Sequence, residues 1–337
     1  MRHWLAVLAF VLGAASPAHA QSPSPHAIDI PKWFTESFLD FREDIVDAKR
    51  ANRRLMVYFG QDGCPYCKAL MKGNFGDPSI AAYTQKHFVA LALNLWGDRE
   101  VTWLDGAKMS EKELARKLEV QFTPTLLFFD EEGRVALRLN GYMPPDKFRI
   151  ALEYAGERLE KREPYTDYMA RRAGDKPGGA LASQPFFEKG VPELPRILAS
   201  ARKPVIVLFE RKGCAECAEL HREGFTRPEV KALVARFAVV QLDLGGSRKV
   251  VTPAGEASSE RDWARAMRVT YTPSLVFLDA AGKEVFRAEG YLKPFHLASA
   301  LDYVASGAYR GEPSFQRFIQ QRADKLRAAG QNVDVWQ

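Results

Sequence analysis

The sequence lacks the features of a disulfide-stapled scaffold, a nucleic-acid-binding protein and a membrane-spanning protein. Four cysteines in 337 residues are too few to staple a scaffold. The formal charge of +6 arises from 48 basic and 42 acidic residues spread along the chain, and the absence of a dense basic run argues against nucleic-acid binding. After the N-terminal segment no 18 apolar residues are consecutive, so we expect no membrane insertion of the processed chain. With 46% apolar residues the chain is expected to be globular, and its length favours two or more domains.

The first twenty residues have the pattern of a secretory signal peptide. Arg2 precedes a short apolar run over 4–12, and small residues lead to an A-x-A cleavage site that ends at Ala20. The apolar run is too short to span a bilayer, and no cysteine precedes Cys64 to carry a lipid. We therefore expect cleavage after residue 20 and a periplasmic location, where cysteine pairs serve as structural disulfides or redox centres.

The chain contains an internal repeat. The segment VYFGQDGCPYCKAL over 57–70 matches VLFERKGCAECAEL over 207–220 at an offset of 150 residues. After one deletion the offset becomes 149, and FTPTLLFFDEEGRV over 122–135 matches YTPSLVFLDAAGKE over 271–284. This similarity predicts a tandem duplication of a unit of about 145 residues, a common size for one domain. The predicted organisation is a signal peptide over 1–20, a first domain over 29–173, a linker over 174–180, a second domain over 181–325 and a C-terminal tail over 326–337.

Each repeat has the pattern of an α/β domain. In the first repeat a helix is predicted with Phe38, Phe41, Ile45 and Ala48 on one face. Apolar strands are predicted over 55–59 and 88–95, a hairpin over 125–139, and helices beginning at Asp77-Pro78, at the capping box of Ser110 and at Pro145. This order predicts a mixed sheet with helices on both faces.

The cysteines form two Cys-x-x-Cys pairs, each placed directly after an apolar strand at the start of a helix. There the unpaired N–H groups and the positive end of the helix dipole stabilise a thiolate. The first thiolate of a pair can attack a substrate disulfide, and the second, one turn further on, can resolve the mixed disulfide. Cys64 and Cys214 are therefore the predicted nucleophiles, and Cys67 and Cys217 the predicted resolving thiols.

These features resemble the thioredoxin superfamily. In both repeats the strand–CxxC–helix unit is accompanied by a Thr-Pro pair just before a later strand. The resemblance implies two tandem thioredoxin-like domains, each a mixed central sheet flanked by helices, with both prolines cis and the threonine backbones pairing with substrate chains. The first repeat is most similar to periplasmic thioredoxin-related proteins of the SoxW type. The predicted substrate contacts are Thr123, Pro124, Thr272, Pro273, Pro65 and Tyr66.

Two departures from the pattern of the superfamily concern the surroundings of the thiols. Thioredoxins bury an aspartate six residues before the first cysteine, and here Tyr58 and Leu208 hold those positions. Both repeats also carry an insertion, over about 96–109 and 245–258, at the carboxyl end of a strand, where α/β folds place their sites. The first insertion is predicted to form a rim beside the thiols, with Trp96 and Trp103 either contacting substrate or packing the insertion itself.

The two pairs differ in charge. Pro65 and Tyr66 separate the first two thiols, whereas Glu216 lies between the second two. A carboxylate there opposes the helix dipole, so we expect Cys64 to form a thiolate more readily than Cys214. Electrons would then pass from the second site to the first, or the two sites would serve different partners.

Metal chemistry and purely structural disulfides are the alternatives for these cysteines. A zinc site shared by both pairs is disfavoured because 146 residues separate Cys67 from Cys214. In zinc motifs the two Cys-x-x-Cys pairs are usually separated by about 15–20 residues. His221 could complete a soft metal site with Cys214, but Met71 holds the matching position in the first repeat, which favours an ordinary helix position. A metallochaperone, or a binding module whose second domain is not catalytic, remains the alternative function.

The favoured function is a periplasmic thiol–disulfide oxidoreductase that acts as a reductase. No flavin or nicotinamide motif is visible in the sequence, and no cofactor or metal is predicted. The expected partners are proteins that carry thiols or disulfides, together with a periplasmic or membrane protein that supplies electrons.

Overall fold

The computed structural model describes residues 27–173 and 179–333, so the predicted signal peptide and most of the predicted linker lie outside the described residues. Among the described residues, no helix is both long and apolar enough to cross a membrane. The helices of the first repeat are α1 (Phe41–Arg50), α2 (Pro65–Ala69), α3 (Pro78–His87), α4 (Glu111–Lys117), α5 (Pro145–Gly156) and α6 (Tyr165–Arg172). Its strands are β1 (Arg54–Gly60), β2 (Phe88–Asn94), β3 (Glu100–Thr102), β4 (Lys108–Ser110), β5 (Thr125–Phe129) and β6 (Val135–Asn140).

The central sheet of the first repeat is mixed, as predicted. Its strand order is β2-β1-β5-β6, with β1 parallel to β2 and the other neighbouring strands antiparallel. All seven residues of β1 are buried because its side chains alternate between two helical layers. Met56 and Tyr58 face the layer that contains α2, α3 and α5, whereas Leu55 and Val57 face α1 and α4.

The second repeat has the same architecture. Its helices are α7 (Leu194–Ala201), α8 (Ala215–Glu219), α9 (Pro228–Val234), α10 (Glu260–Ala266), α11 (Pro294–Ala305) and α12 (Phe315–Ala328). Its strands are β7 (Val205–Glu210), β8 (Ala238–Asp243), β9 (Lys249–Val251), β10 (Ala257–Ser259), β11 (Ser274–Leu278) and β12 (Glu284–Glu289). The sheet order β8-β7-β11-β12 matches that of the first repeat, as a duplication requires.

The predicted helix starts at Asp77 and Ser110 are confirmed by their caps. The Asp77 carboxylate accepts a hydrogen bond from the N–H of Ser79 at 2.7 Å, and this bond fixes the start of α3. At the start of α4 the carboxylate of Glu113 accepts a hydrogen bond from the N–H of Ser110 at 2.8 Å. These local signals are readable from sequence because each involves neighbouring residues.

The predicted helical position of Phe38 is wrong. The Asp40 carboxylate accepts a hydrogen bond from the N–H of Arg42 at 3.0 Å, so α1 begins at Phe41. Phe38 precedes the helix and is 98% exposed, and the backbone of Leu39 turns through a positive φ of 60° between them. The apolar spacing continued across the cap, but the capping carboxylate sets the boundary.

The last helix of the second repeat is longer than its counterpart in the first. Helix α12 continues to Ala328, so the tail predicted over 326–337 begins inside a helix. Leu-Arg-Ala over 326–328 favours helix, and the next glycine along the chain is Gly330. In the first repeat the matching helix, α6, ends at Arg172, close to the glycine at position 174.

The insertions fold as small two-stranded antiparallel sheets, β3–β4 and β9–β10. The prediction that Trp103 lies at a rim beside the thiols is wrong, because its ring packs 5.0 Å from that of Phe41 on the opposite side of the central sheet. Trp96 does lie beside the loop that leads to the first thiol, where its Nε1 donates to Oε1 of Gln61 at 2.6 Å. The packing role therefore holds for both tryptophans, and Trp96 in addition lies next to the loop of the first thiol.

The two repeats pack against each other through equivalent surfaces. Asn140 Nδ2 donates to Glu289 Oε2 at 2.6 Å, although the two residues occupy matching positions at the 149-residue offset. Phe122 packs into the core of the second repeat, and its counterpart Tyr271 packs into the core of the first. Reciprocal contacts of this kind are those of a two-fold symmetric dimer, here formed within one chain.

Candidate active site

The first cysteine pair lies where β1 ends and α2 begins. Cys64 is the N-cap residue of α2, and its Sγ accepts a hydrogen bond from the backbone N–H of Cys67 at 3.1 Å. Pro65 occupies the first helical turn. Backbone N–H groups there have no carbonyl partner within the helix, so a proline, which lacks this group, loses no hydrogen bond. The two sulfurs are joined as a disulfide. When the pair is reduced, the free N–H groups of this helix end favour a thiolate on Cys64.

The loop that contains Thr123 and Pro124 lies against Cys64. The Thr123 Oγ1 donates to Cys64 Sγ at 3.3 Å, and the Thr123 carbonyl oxygen lies 3.3 Å from the same sulfur. The peptide bond between Thr123 and Pro124 is cis. Thr125 Oγ1 donates to the Phe122 carbonyl at 2.9 Å, which fixes the loop at the start of β5. The sequence-predicted residues Cys64, Cys67, Thr123 and Pro124 are thus brought together.

The second pair has the same arrangement with looser contacts. Cys214 Sγ accepts a hydrogen bond from the N–H of Cys217 at 3.1 Å, and these two sulfurs also form a disulfide. Thr272 Oγ1 lies 3.5 Å from Cys214 Sγ, and the peptide bond between Thr272 and Pro273 is cis. The Glu216 carboxylate lies 3.9 Å from the same sulfur, as its position between the thiols predicted.

The residues between the thiols contact the opposite repeat. Tyr66 Oη accepts a hydrogen bond from the N–H of Lys293 at 3.1 Å, and its ring meets that of His296 edge-on at 5.1 Å. In the reverse direction, Glu216 forms an ion pair with Lys147 at 2.5 Å. Lys147 and His296 are equivalent positions, so each repeat covers the CxxC helix of the other with the start of α5 or α11.

A cavity lies between the repeats beside the first pair. Cys64, Tyr66 and Thr123 form part of its wall, and His296 and Phe315 of the second repeat form another part. The disulfide is almost fully covered: 3% of Cys64 and 0% of Cys67 is exposed. Because Cys64 lies on the cavity wall and Cys67 lies behind it, a substrate in the cavity would meet Cys64 first.

Different residues occupy, in the two repeats, the position six residues before the first cysteine at which thioredoxins bury an aspartate. The Tyr58 hydroxyl is buried without a hydrogen-bond partner among the described residues, and burial raises its pKa well above the usual value, so it stays protonated. This hydroxyl fills the space beside Gly60, where an added Cβ would lie 1.8 Å from it. In the second repeat Leu208 and Glu210 take the places of Tyr58 and Gly60, which puts a buried carboxylate on this side of the sheet.

His221 is the partner of that carboxylate. Its Nε2 lies 3.0 Å from Glu210 Oε1, and its Nδ1 lies 3.1 Å from the amide nitrogen of Gln184. Within 27–173 and 179–333, no group of three or more His, Cys, Asp and Glu side chains is placed to hold a metal ion. The imidazole therefore takes part in a buried polar cluster with Glu210 and Gln184, and is not the plain helix position that the sequence favoured.

The residues that the sequence reasoning missed belong to the opposite repeat. His296, Phe315 and Glu289 line the cavity beside Cys64, but 225 or more residues separate them from it. The signal available in the sequence was the pair of aromatic residues Phe122 and Tyr271, each placed immediately before a Thr-Pro loop without an obvious partner in its own repeat.

Comparison with known proteins places both repeats in one family. The thioredoxin-like domain matches residues 41–156 and again 193–305. The thiol:disulfide interchange protein DsbD of Photorhabdus laumondii is 30% identical over 108 residues, which cover 32% of this chain and 17% of the length of that protein.

Two solved structures have similar sequences over one repeat. A thioredoxin-fold protein from Helicobacter pylori is 28% identical over 36% of this chain and 79% of its own, with a TM-score of 0.31. A thioredoxin from Thermus thermophilus is 27% identical over 34% of this chain and 82% of its own, with a TM-score of 0.27. Since the family match covers more than half of the residues, in two copies, the chain belongs to the thioredoxin-like domain family.

Proposed function

We propose that this protein is a thiol–disulfide oxidoreductase that reduces disulfides of protein substrates through Cys64 and Cys67, with Cys214 and Cys217 as a second redox centre. The observation that carries the proposal is the position of Cys64, which caps α2, contacts the Thr123 loop and lies on the wall of a cavity. The interchange function named for the Photorhabdus relative supports it, although this chain matches a small part of that protein.

The proposed reaction has two exchanges. The Cys64 thiolate attacks one sulfur of the substrate disulfide, the other substrate sulfur leaves as a thiolate, and a mixed disulfide forms. The Cys67 thiolate then attacks Cys64 Sγ, which releases the remaining substrate thiol and leaves the Cys64–Cys67 disulfide. The substrate gains two electrons and the protein loses two, so another protein must reduce the pair again. We place this cycle in the periplasm because of the signal-peptide pattern over 1–20.

The reduction potential of each pair tests this proposal. We expect a value near about −270 mV for the first pair, as in reducing thioredoxins, measured by equilibration of the full chain with dithiol buffers. A potential near about −120 mV would make the protein an oxidant. Stoichiometric zinc or copper on the reduced protein without reduction of insulin would instead favour the metallochaperone.

Glu216 should make Cys214 the weaker acid of the two nucleophiles. Its carboxylate lies 3.9 Å from Cys214 Sγ, but Lys147 of the first repeat pairs with it and compensates part of the charge. In a Cys64→Ser/Cys67→Ser background, we expect Glu216→Gln to raise the thiolate fraction of reduced Cys214 at neutral pH and Lys147→Met to lower it. The shift should be on the order of one pH unit in each direction, read from ultraviolet thiolate absorbance. Titration curves that coincide for all three proteins would show that the carboxylate has no influence.

A further inference from the structure

His296 is a buried polar side chain with an unused ring nitrogen. It exposes 9% of its surface, and its Nδ1 has no hydrogen-bond partner among the described residues. Buried polar atoms are nearly always paired, so an unpaired one calls for an explanation. Burial, with a contribution from Lys293, lowers the pKa of His296 to about 4, so its ring is neutral at neutral pH. A neutral imidazole offers one donor and one acceptor nitrogen.

The ring of His296 lies on the wall of the cavity that reaches Cys64. The two residues come from different repeats, and Tyr66 connects them by its edge-on contact with the imidazole. Because the cavity is lined by residues of both repeats, a ligand that reaches Cys64 through it also meets side chains of the second repeat. The second repeat thus supplies one wall of the cavity at the redox centre of the first, and the residue with the unpaired nitrogen belongs to that wall.

We propose that this cavity is a substrate subsite built by both repeats, which takes an extended cysteine-containing peptide segment with apolar residues beside its cysteine. In this arrangement His296 Nδ1 hydrogen-bonds to the peptide while the substrate disulfide lies at Cys64. This assignment names the substrate class of the first centre and so rests on the proposed oxidoreductase function.

The composition of the wall favours an uncharged, apolar segment. Its apolar side chains include Phe122, Leu292 and Phe315, which offer the segment no charge. Among the described residues that line the cavity there is neither lysine nor arginine, so an acidic ligand such as glutathione would find no counter-charge. The Glu289 carboxylate on the same wall accepts a hydrogen bond from Asn140 at 2.6 Å and pairs with Arg287 at 3.3 Å, so both groups that hold it are already engaged within the protein.

The experiment compares two synthetic peptide disulfides that differ in the residue beside the cysteine, leucine in one and glutamate in the other. Rates are measured with the reduced full chain carrying Cys214→Ser/Cys217→Ser, so that only the first centre reacts. We expect the leucine peptide to react about tenfold faster than the glutamate peptide. His296→Ala should slow the leucine peptide by about tenfold, and His296→Gln, which keeps both hydrogen-bonding functions, should restore most of the rate. The rate with glutathione disulfide should be the same in all three proteins.

His87→Ala is the matched control, because His87 stacks on Tyr83 within the first repeat and does not line the cavity. Equal rates for both peptides in the parent protein, or an equal loss with glutathione disulfide in His296→Ala, would overturn the peptide subsite while leaving the oxidoreductase function intact. A parent protein that reduces none of the three disulfides would instead refute the proposed function itself. If the variants unfold at the same temperature as the parent protein, a change in their reaction rates is not caused by misfolding.

Discussion

Cys64→Ser should reduce disulfide exchange at the first centre by on the order of 10³-fold or more, because serine at this position cannot form the attacking thiolate. Cys67→Ser should instead trap the reaction after its first step. Its Cys64 thiolate would still attack the substrate, but the resolving sulfur would be missing, so the mixed disulfide would accumulate. The distinction follows from the positions of the two sulfurs: Cys64 lies on the cavity wall, whereas Cys67 is fully buried behind it.

Mass spectrometry of the full chain after reaction with a peptide disulfide measures both outcomes. The Cys214→Ser/Cys217→Ser protein serves as the parent, which keeps the second centre silent without changing the first. We expect one covalent peptide adduct on the Cys67→Ser variant and none on the Cys64→Ser variant. An adduct on Cys64→Ser but not on Cys67→Ser would reverse the assigned roles of the two thiols.

The fold and both cysteine centres were predictable because the signals are local or duplicated. The caps at Asp77 and Ser110 involve residues two or three apart, and the CxxC and Thr-Pro segments occur twice in register. The same reasoning failed at Phe38, where an apolar spacing of helical type continued through the cap of α1. Periodicity describes a face of a helix, but it does not say where the helix begins.

The packing of the repeats was not predictable. Two similar domains in one chain are equally compatible with separate bodies on a linker and with a symmetric pair. The choice depends on contacts such as that between Lys147 and Glu216, 69 residues apart, and that between Asn140 and Glu289, 149 residues apart. Each of these side chains is an ordinary surface residue in its own repeat, so its partner is invisible until both surfaces are known. The cavity wall formed by His296 was missed for this reason.

The largest stability effect is expected at Arg54, whose side chain is 1% exposed at the start of β1. Its guanidinium donates to Glu131 at 3.0 Å, to Glu160 at 2.7 Å and to the Ala155 carbonyl at 2.7 Å, and so connects three parts of the first repeat. Arg54→Met would leave two carboxylates and a carbonyl without this donor. Breaking a buried ion pair from one side costs about 3–5 kcal/mol, so we expect a loss of that size in the unfolding free energy of the first repeat.

The second repeat and an exposed arginine of the first repeat provide the controls for this prediction. Pro204 occupies the position equivalent to Arg54, so the second repeat lacks this network and should keep its stability. Arg134→Met removes the ion pairs of an arginine that is 71% exposed, those with Asp130 and Glu132, and we expect it to cost about 0–1 kcal/mol. Urea unfolding followed by peptide-resolved hydrogen exchange measures the two repeats separately.

The hydrogen bonds from Arg54 hold the pKa of Glu131 well below its ordinary value of 4.5, with a further contribution from Arg158. A carboxylate whose pKa is lowered by folding stabilises the protein above that ordinary value and loses the contribution as the pH falls below it. The difference in stability between the wild type and Arg54→Met should therefore be largest at neutral pH and should shrink below about pH 4.5. A difference under 1 kcal/mol at pH 7, or one that grows on acidification, would show that the Arg54 network does not hold the first repeat together.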